Sequence, residues 1–313
     1  MSAAPKATTG TKATTATAAT TDTVEDAVHR FIFEQLDIRG ALVQLGPAWQ
    51  EMQARRNYAA PVRELLGELA AVAAIIGSNL KTPGRITFQL QGHGPVAMLV
   101  MDCDQQLRMR GMARLRPDVR EAAATALMSA GIHELLGDGQ LALNLQTEQG
   151  APYQSIVPLE GDTVGAVFEH YLTQSEQLPA RLWLFANEHT ACGLFLQKLP
   201  EVEARDHDGW ARIETLAATV RDDELMLAPA ALLGRLFADE DVRLFPPRPV
   251  TWHCPRDEEK VRDMLISLGQ DELRAMLTDV EHISVDDEIC GHEYRFGPEL
   301  LDELFPPAGR VLH

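Results

Sequence analysis

Apolar residues recur along this chain in two rhythms. Between Pro61 and Leu80, Val62, Leu65, Leu66, Leu69, Ala73 and Ile76 return at intervals of three and four. That spacing gathers side chains on one face of a helix, and Pro61 suits a first helical position. Over Arg85–Gln91 the interval shortens to two, with Ile86, Phe88 and Leu90 alternating with Arg85, Thr87, Gln89 and Gln91, which predicts a strand. The Gly92-His93-Gly94-Pro95 turn leads to Val96–Met101, apolar on both faces and so predicted as an inner strand. Leu141, Leu143 and Leu145 alternate in another strand, joined through Glu148-Gln149-Gly150-Ala151-Pro152 to Tyr153–Leu159. Thr163–Gln177 reads as a helix carrying Val164, Val167, Phe168 and Tyr171, and Trp183–Phe185 with Leu194–Leu196 as the arms of a hairpin. Strands in neighbouring pairs with helices between the pairs predict an α+β core over residues 24–200, not a doubly wound sheet.

Past residue 200 the strand signals fade. Trp210, Ile213, Leu216 and Val220 space as one amphipathic helix; Leu232, Leu233, Leu236 and Phe237 follow Pro229 as a second. Charge clusters at Glu201–Asp206 and Asp239–Asp241 flank them, and Phe245-Pro246-Pro247-Arg248-Pro249 is expected to interrupt any regular element. Residues 201–249 therefore read as a helical linker ending in a Pro-rich hinge, and 250–313 as a small terminal α+β module. In that module Val261, Met264, Leu265 and Leu268 form a helical stripe stopped by Gly269, Leu273, Met276 and Leu277 form another, and His282–Asp286 with Glu293–Phe296 flank Cys290-Gly291 as a hairpin. So few apolar groups make a marginal core that needs a metal, a crosslink or docking onto a neighbour. Residues 1–23, rich in Thr and Ala and lacking an apolar h-region, read as a disordered tail and not a secretory signal.

Charge narrows the function. The 313 residues carry 46 Asp and Glu against 28 Lys and Arg, a net charge of −18. No basic patch relieves it, which argues against nucleic acid and anionic membrane as partners. From Thr251 onward fifteen acidic residues face six basic ones, so the module carries half of the excess. Four cysteines in a chain of this length fit a reducing compartment, and a cytoplasmic location is expected. Phosphate-loop, nucleophile-elbow, zinc-protease and dinucleotide fingerprints are all missing, so no enzyme is indicated. Cys103 and Cys192 lie far apart and read as buried, inert thiols, Cys192 being also a possible extra reactive thiol. The informative constellation is His253-Cys254-Pro255-Arg256 together with Asp287-Glu288-Ile289-Cys290-Gly291-His292, two knuckle-like segments at a separation suited to the halves of a zinc site, each holding one cysteine instead of two.

Several segments carry a resemblance to a known family. They are Gly84-Arg85-Ile86-Thr87-Phe88-Gln89-Leu90-Gln91-Gly92, Arg110-Gly111, Tyr153-Gln154-Ser155-Ile156-Val157-Pro158-Leu159, and Tyr171 followed by Ser175-Glu176-Gln177-Leu178-Pro179. Gly193-Leu194-Phe195-Leu196-Gln197 before Leu199-Pro200, Ser267-Leu268-Gly269 with Glu272-Leu273, and Cys290-Gly291-His292-Glu293-Tyr294-Arg295-Phe296 complete the set. From about Asp22 to Phe305 the chain resembles the redox-regulated heat-shock holdases, the thirty-three-kilodalton chaperonins. The resemblance implies an ATP-independent chaperone, active as a homodimer, that binds unfolding client proteins under stress. It also implies an α+β core, a linker that wraps it, and a terminal module holding zinc through Cys-x-Cys and Cys-x-x-Cys, where disulfide formation releases the metal and melts module and linker.

This sequence departs from that pattern at the switch. Arg256 and Asp287 stand where two of the four ligands should be, leaving Cys254 and Cys290 as redox candidates. A guanidinium is always cationic and unsuited to a zinc shell. A residual Cys254, Asp287, Cys290, His292 site stays open, but a chain without cofactor is preferred, with an Arg256–Asp287 ion pair expected to bridge the vacated position and Cys254 and Cys290 near enough for a disulfide. Activation by peroxide is then expected to be weak or absent. Trp210, Ile213, Leu216, Leu232, Leu233, Leu236 and Phe237 are client-binding candidates, or equally the stripe that packs the linker on the core. Two alternatives compete: a thiol–disulfide oxidoreductase using Cys254 and Cys290, which lacks a Cys-x-x-Cys, and a non-chaperone interaction protein on the same fold.

Overall fold

The computed structural model describes residues 25–80, 82–117, 131–147, 150–200 and 206–305. The tail at 1–23, residues 201–205 of the first linker charge cluster, Glu148-Gln149 and the end of the terminal module lie outside them.

The described residues open with a hairpin, β1 (Ala27–Phe33) and β2 (Ile38–Leu45), then helices α1 (Pro47–Gln53) and α2 (Ala60–Ser78). A meander follows: β3 (Gly84–Gly92), β4 (Val96–Asp104) and β5 (Arg108–Leu115). After the short α3 (Ile132–Leu136) come β6 (Gly139–Thr147), β7 (Tyr153–Pro158), α4 (Val164–Glu176), β8 (Ala180–Ala186) and β9 (Ala191–Lys198). One sheet runs β1-β2-β9-β8 and the other β5-β4-β3-β6-β7, all antiparallel. This is an α+β fold.

Helix α2 explains how the two sheets share a core. Leu65, Leu66, Leu69, Ala70, Val72, Ala73 and Ile75 point in different directions around it and are all buried. Beyond Glu68 the helix is apolar on every side and must be covered on every side. It packs against β2, β8 and β9 of the first sheet and β3, β4 and β5 of the second. Thr163 caps α4 by accepting from Ala166 N at 3.1 Å, and Gln177 ends that helix in the left-handed region at φ 56°.

The first sheet is apolar on its far face too. Phe31, Phe33, Ile38, Leu42, Cys192, Leu194 and Leu196 point away from α2 and are buried, so this face needs a second cover. Gly40 lies beneath the Phe31 ring, where a Cβ would overlap it at 2.2 Å. The cover is the linker: α5 (Gly209–Ala217), a 3-10 turn at Glu224–Met226, and α6 (Pro229–Leu236).

The Pro-rich stretch interrupts regular structure at Phe245–Pro247, as its sequence predicts, but the chain returns to the sheet at Arg248 and Pro249. Strands β10 (Val242–Leu244) and β11 (Arg248–Pro249) both run antiparallel along the free edge of β1, with Phe245 N donating to Arg30 O between them. Next, β12 (Thr251–Trp252) pairs in parallel with β5 on the other sheet. Proline is tolerated at a sheet edge because it forfeits only an N–H that need not pair. Arg248 ties this strap down through Ser78 O at 2.7 Å and Gln105 O at 2.5 Å.

The terminal module contains α7 (Glu258–Leu268), α8 (Gln270–Asp279), the hairpin β13 (Ile283–Asp287) and β14 (His292–Phe296), and α9 (Glu299–Leu304). Its core is Leu265, Leu273, Ile283, Tyr294, Phe296 and Leu300. No helix among the described residues is long and apolar enough to cross a membrane.

Candidate functional site: the terminal latch and the covered sheet face

Two short segments meet at the latch. Cys254 lies two residues past the end of β12, and His253 N between them still donates to Met109 O at 2.9 Å, so the first segment hangs from the edge of the second sheet. The second is the β13–β14 turn. There Asp287 Oδ1 accepts from Ile289 N at 2.9 Å and Cys290 N at 3.1 Å, Gly291 N donates to Asp287 O at 2.7 Å, and Gly291 takes φ 65°, a left-handed value that suits glycine. The folded turn delivers Cys290 to Cys254, and the two are joined as a disulfide with Cα atoms 5.8 Å apart.

His292 fixes the geometry on the other side. Its Nδ1 lies 2.7 Å from the Arg55 guanidinium and its Nε2 2.8 Å from Cys254 O. Arginine only donates and a carbonyl only accepts, so the ring is the Nε2–H tautomer with both nitrogens engaged. Arg56 donates to Glu288 O, and Arg114 pairs with the Glu288 carboxylate at 3.3 Å. Three arginines of the core domain thus hold the knuckle of an acidic module. A cavity of about 420 Å³ lies beside the contact, lined by Arg56, Tyr58, Met112, Arg114 and Glu288.

The sequence-derived ligand set assembles only in part. Cys254 Sγ, Cys290 Sγ and a His292 ring nitrogen lie within 4.8 Å of one another, all three residues buried. Asp287 stays outside, its carboxylate used by the turn. His253 is exposed and faces a different cleft with Lys260. Only three donors converge and the Asp287 carboxylate is taken by the turn, so these residues do not complete the closed four-ligand set of structural zinc. The expected Arg256–Asp287 ion pair is also not formed. Arg256 instead stacks over Tyr294, 4.7 Å from the ring centre, and donates to Glu293 O at 2.6 Å, because the knuckle's amides claim Asp287 first.

The seven linker candidates gather on one surface. Ile213, Leu232, Leu233, Leu236 and Phe237 are buried against the far face of the first sheet, and Trp210 and Leu216 are half-buried at its margin. Phe237 meets Phe33 edge to face, ring centres 5.0 Å apart. Polar ties hold the cover. Gln44 Nε2 donates to Leu225 O at 2.7 Å and Leu227 O at 2.8 Å; Arg181 on β8 bridges Glu169 of α4 and Glu214 of α5; Glu224, buried, pairs with Arg235 at 2.6 Å. Burial pushes the Cys192 thiol beneath this cover up to about 12, and the Cys103 thiol is likewise raised by burial in the main core. Both are therefore poor nucleophiles where they sit. The sequence reading missed Arg55, Arg56, Arg114 and Gln44. Only Gln44, a polar residue on an otherwise apolar strand face, left a signal.

Comparison with known proteins places the chain. The model of the Hsp33 protein family matches residues 26–297. The 33 kDa chaperonin of Nitrosococcus oceani is 39% identical over 281 residues, covering 90% of this chain and 94% of that protein. The 33 kDa chaperonin of Vibrio cholerae is 35% identical over 294 residues, covering 91% and 98%. The crystal structure of the 33 kDa chaperonin of Thermotoga maritima superposes with a TM-score of 0.73 at 20% identity, covering 89% of this chain and 97% of that one.

Proposed function

This chain belongs to the Hsp33 family, a chaperone family and not an enzyme family, and on that premise we propose that it is an ATP-independent holdase for unfolding proteins, released by heat and working without zinc. The observation that carries the reading is that core domain and linker hold two separate apolar cores, apart from the module's own. The main core closes around α2 between the sheets, whereas the second exists only while the linker lies on the far face of the first sheet. Lifting α5 and α6 uncovers Phe31, Phe33, Leu42, Leu194 and Leu196 on a sheet that α2 still supports. An apolar patch on a stable scaffold is what an unfolded chain can bind. The freed stripe of Ile213, Leu232, Leu233, Leu236 and Phe237 is available as a second contact. Clients bind stoichiometrically in this reading, and the active form is a homodimer in the cytoplasm.

The Cys254–Cys290 bond gives the latch a polarity unlike that of the four-cysteine pattern. Here the crosslink joins residues already adjacent in the folded module, so it stabilises the closed form. Reduction by a dithiol, which is itself oxidised to its disulfide, returns two thiols and weakens the latch. Heat then releases the linker, and the redox state sets the threshold. Suppression of citrate synthase aggregation tests this directly. Activity is expected to appear on warming, at a lower temperature after dithiol treatment, and not on adding peroxide. Activity that appears only with peroxide, accompanied by the release of one equivalent of zinc, overturns it.

A further inference from the structure

The outer edge of the second sheet has features that neither the latch nor the linker uses. Strand β7, Tyr-Gln-Ser-Ile-Val-Pro, pairs with β6 on one side and ends the sheet on the other. Which of its backbone groups face outward follows from one bond. Leu159 N donates to Gly139 O at 3.0 Å, and the register places those two residues opposite each other. In an antiparallel ladder, hydrogen-bonded and non-bonded pairs alternate. Tyr153, Ser155 and Val157 therefore turn their amides and carbonyls toward β6, while Gln154, Ile156 and Pro158 turn theirs away. Pro158 fits this phase, since its missing N–H is not one the ladder needs.

The edge is guarded only by proline at its ends. Natural sheet edges carry lysine, proline, inward charges or bulges that repel a further strand. This strand has no charged residue in a chain of net charge −18, and Tyr153 and Ile156 are 51% and 54% exposed. Prolines at 152 and 158 bracket the segment, so only the Gln154 and Ile156 amides are on offer as donors. A partner strand of four or five residues fits between them, and a longer one is not supported. We infer that the β7 edge binds short, extended, uncharged segments of client chains by adding them as an antiparallel strand. Main-chain hydrogen bonds read no sequence, and Ile156 with Tyr153 favours apolar side chains. Among the described residues no strand pairs with this edge while the linker is still closed, so it serves first contact with a client. The inference rests on the holdase reading for its client but not on the latch.

The test uses full-length protein with the disulfide intact at ambient temperature. A labelled hexapeptide alternating valine and threonine is titrated by fluorescence anisotropy, alongside a twin N-methylated at every residue. The plain peptide is expected to bind, and the twin, having lost the donors along both edges, at least tenfold more weakly. Ile156→Lys, which adds a guard charge without touching the inner ladder, is expected to weaken binding at least fivefold; Gln154→Pro, which removes an outward donor, should do the same. Equal binding of both peptides, or unchanged binding by both variants, overturns the edge site. So does a dimer that Ile156→Lys converts to monomer, because a second copy then covers the strand. Failure of the wild-type protein to suppress client aggregation under any condition would instead sink the holdase reading and leave the peptide result standing.

Discussion

Breaking the Cys254–Cys290 bond is the sharpest perturbation the structure offers. The two residues lie 36 apart in sequence, and the loop-closure entropy released by cutting a crosslink of that span is about 4 kcal/mol at 25 °C. Against it stands a module core of only Leu265, Leu273, Ile283, Tyr294, Phe296 and Leu300, helped by the grip of Arg55, Arg56 and Arg114 at the knuckle. A loss of about 4 kcal/mol raises the open population about a thousandfold. Native-state hydrogen exchange followed by mass spectrometry reads this directly, comparing the protein with and without a phosphine reductant, and with the Cys254→Ser/Cys290→Ser double variant as a reductant-free control. Amides of β14 and α7 should exchange up to a thousandfold faster in the reduced protein and in the variant, while those of β3 and β4, around α2, keep their rates. If exchange in β14 is unchanged once thiol counting shows full reduction, the crosslink does not hold the latch, and the proposed polarity is wrong.

Three further outcomes follow from the packing. Leu232→Ala empties a fully buried position between α6 and the sheet; at about 2–5 kcal/mol it should lower the temperature at which aggregation suppression begins, with little change in melting of the core domain. Cys192 should resist alkylation until the linker lifts and then react in step with chaperone activity, whereas Cys103 stays protected; mass spectrometry of the alkylated protein during a temperature ramp separates the two. Glu68, raised to about 7 chiefly by burial and then by Glu64 and the linker's Asp222, holds a proton in the folded state that it loses near 4.5 when unfolded. Stability must therefore fall as pH rises from about 4.5 to about 7, by on the order of 3 kcal/mol, and Glu68→Gln should flatten that slope in thermal melts recorded across pH.

The fold was readable wherever one face of an element meets water. The β3, β6 and β7 alternations and the α5 and α6 stripes announce themselves because polar residues mark their outer sides. Strands β1 and β2 escaped, since the first sheet is buried on both faces and leaves no alternation to count. Strand β5 hid behind Arg108, Arg110 and Arg114, whose charges are taken up by Asp104, Asp102 and Glu288 from neighbouring segments. Prolines 246 and 247 do break the strand run, whereas Pro249 sits within β11; sequence does not say whether an N–H is needed. At the switch, spacing picked out Cys254, Cys290 and His292 as a group. It could not show that Asp287 would turn to the amides of its own turn, or that an arginine some two hundred residues earlier would claim the imidazole. Those are choices between competing partners, decided only once distant segments are in contact.

The strap from Val242 to Trp252 has a consequence for the order of events. Within that short span the chain is stitched first to one sheet and then to the other, and the last two stitches, β11 and β12, are only two residues long. A disturbance that starts in the terminal module must pull out the β12 stitch, then β11, then β10, before any tension reaches α6. In the proposed holdase reading, opening therefore unzips from the carboxyl end in a set sequence, and a module that wavers briefly and refolds leaves the greasy sheet face shut. On that reading the strap would work as a delay line, separating a passing fluctuation from a lasting commitment to expose that face.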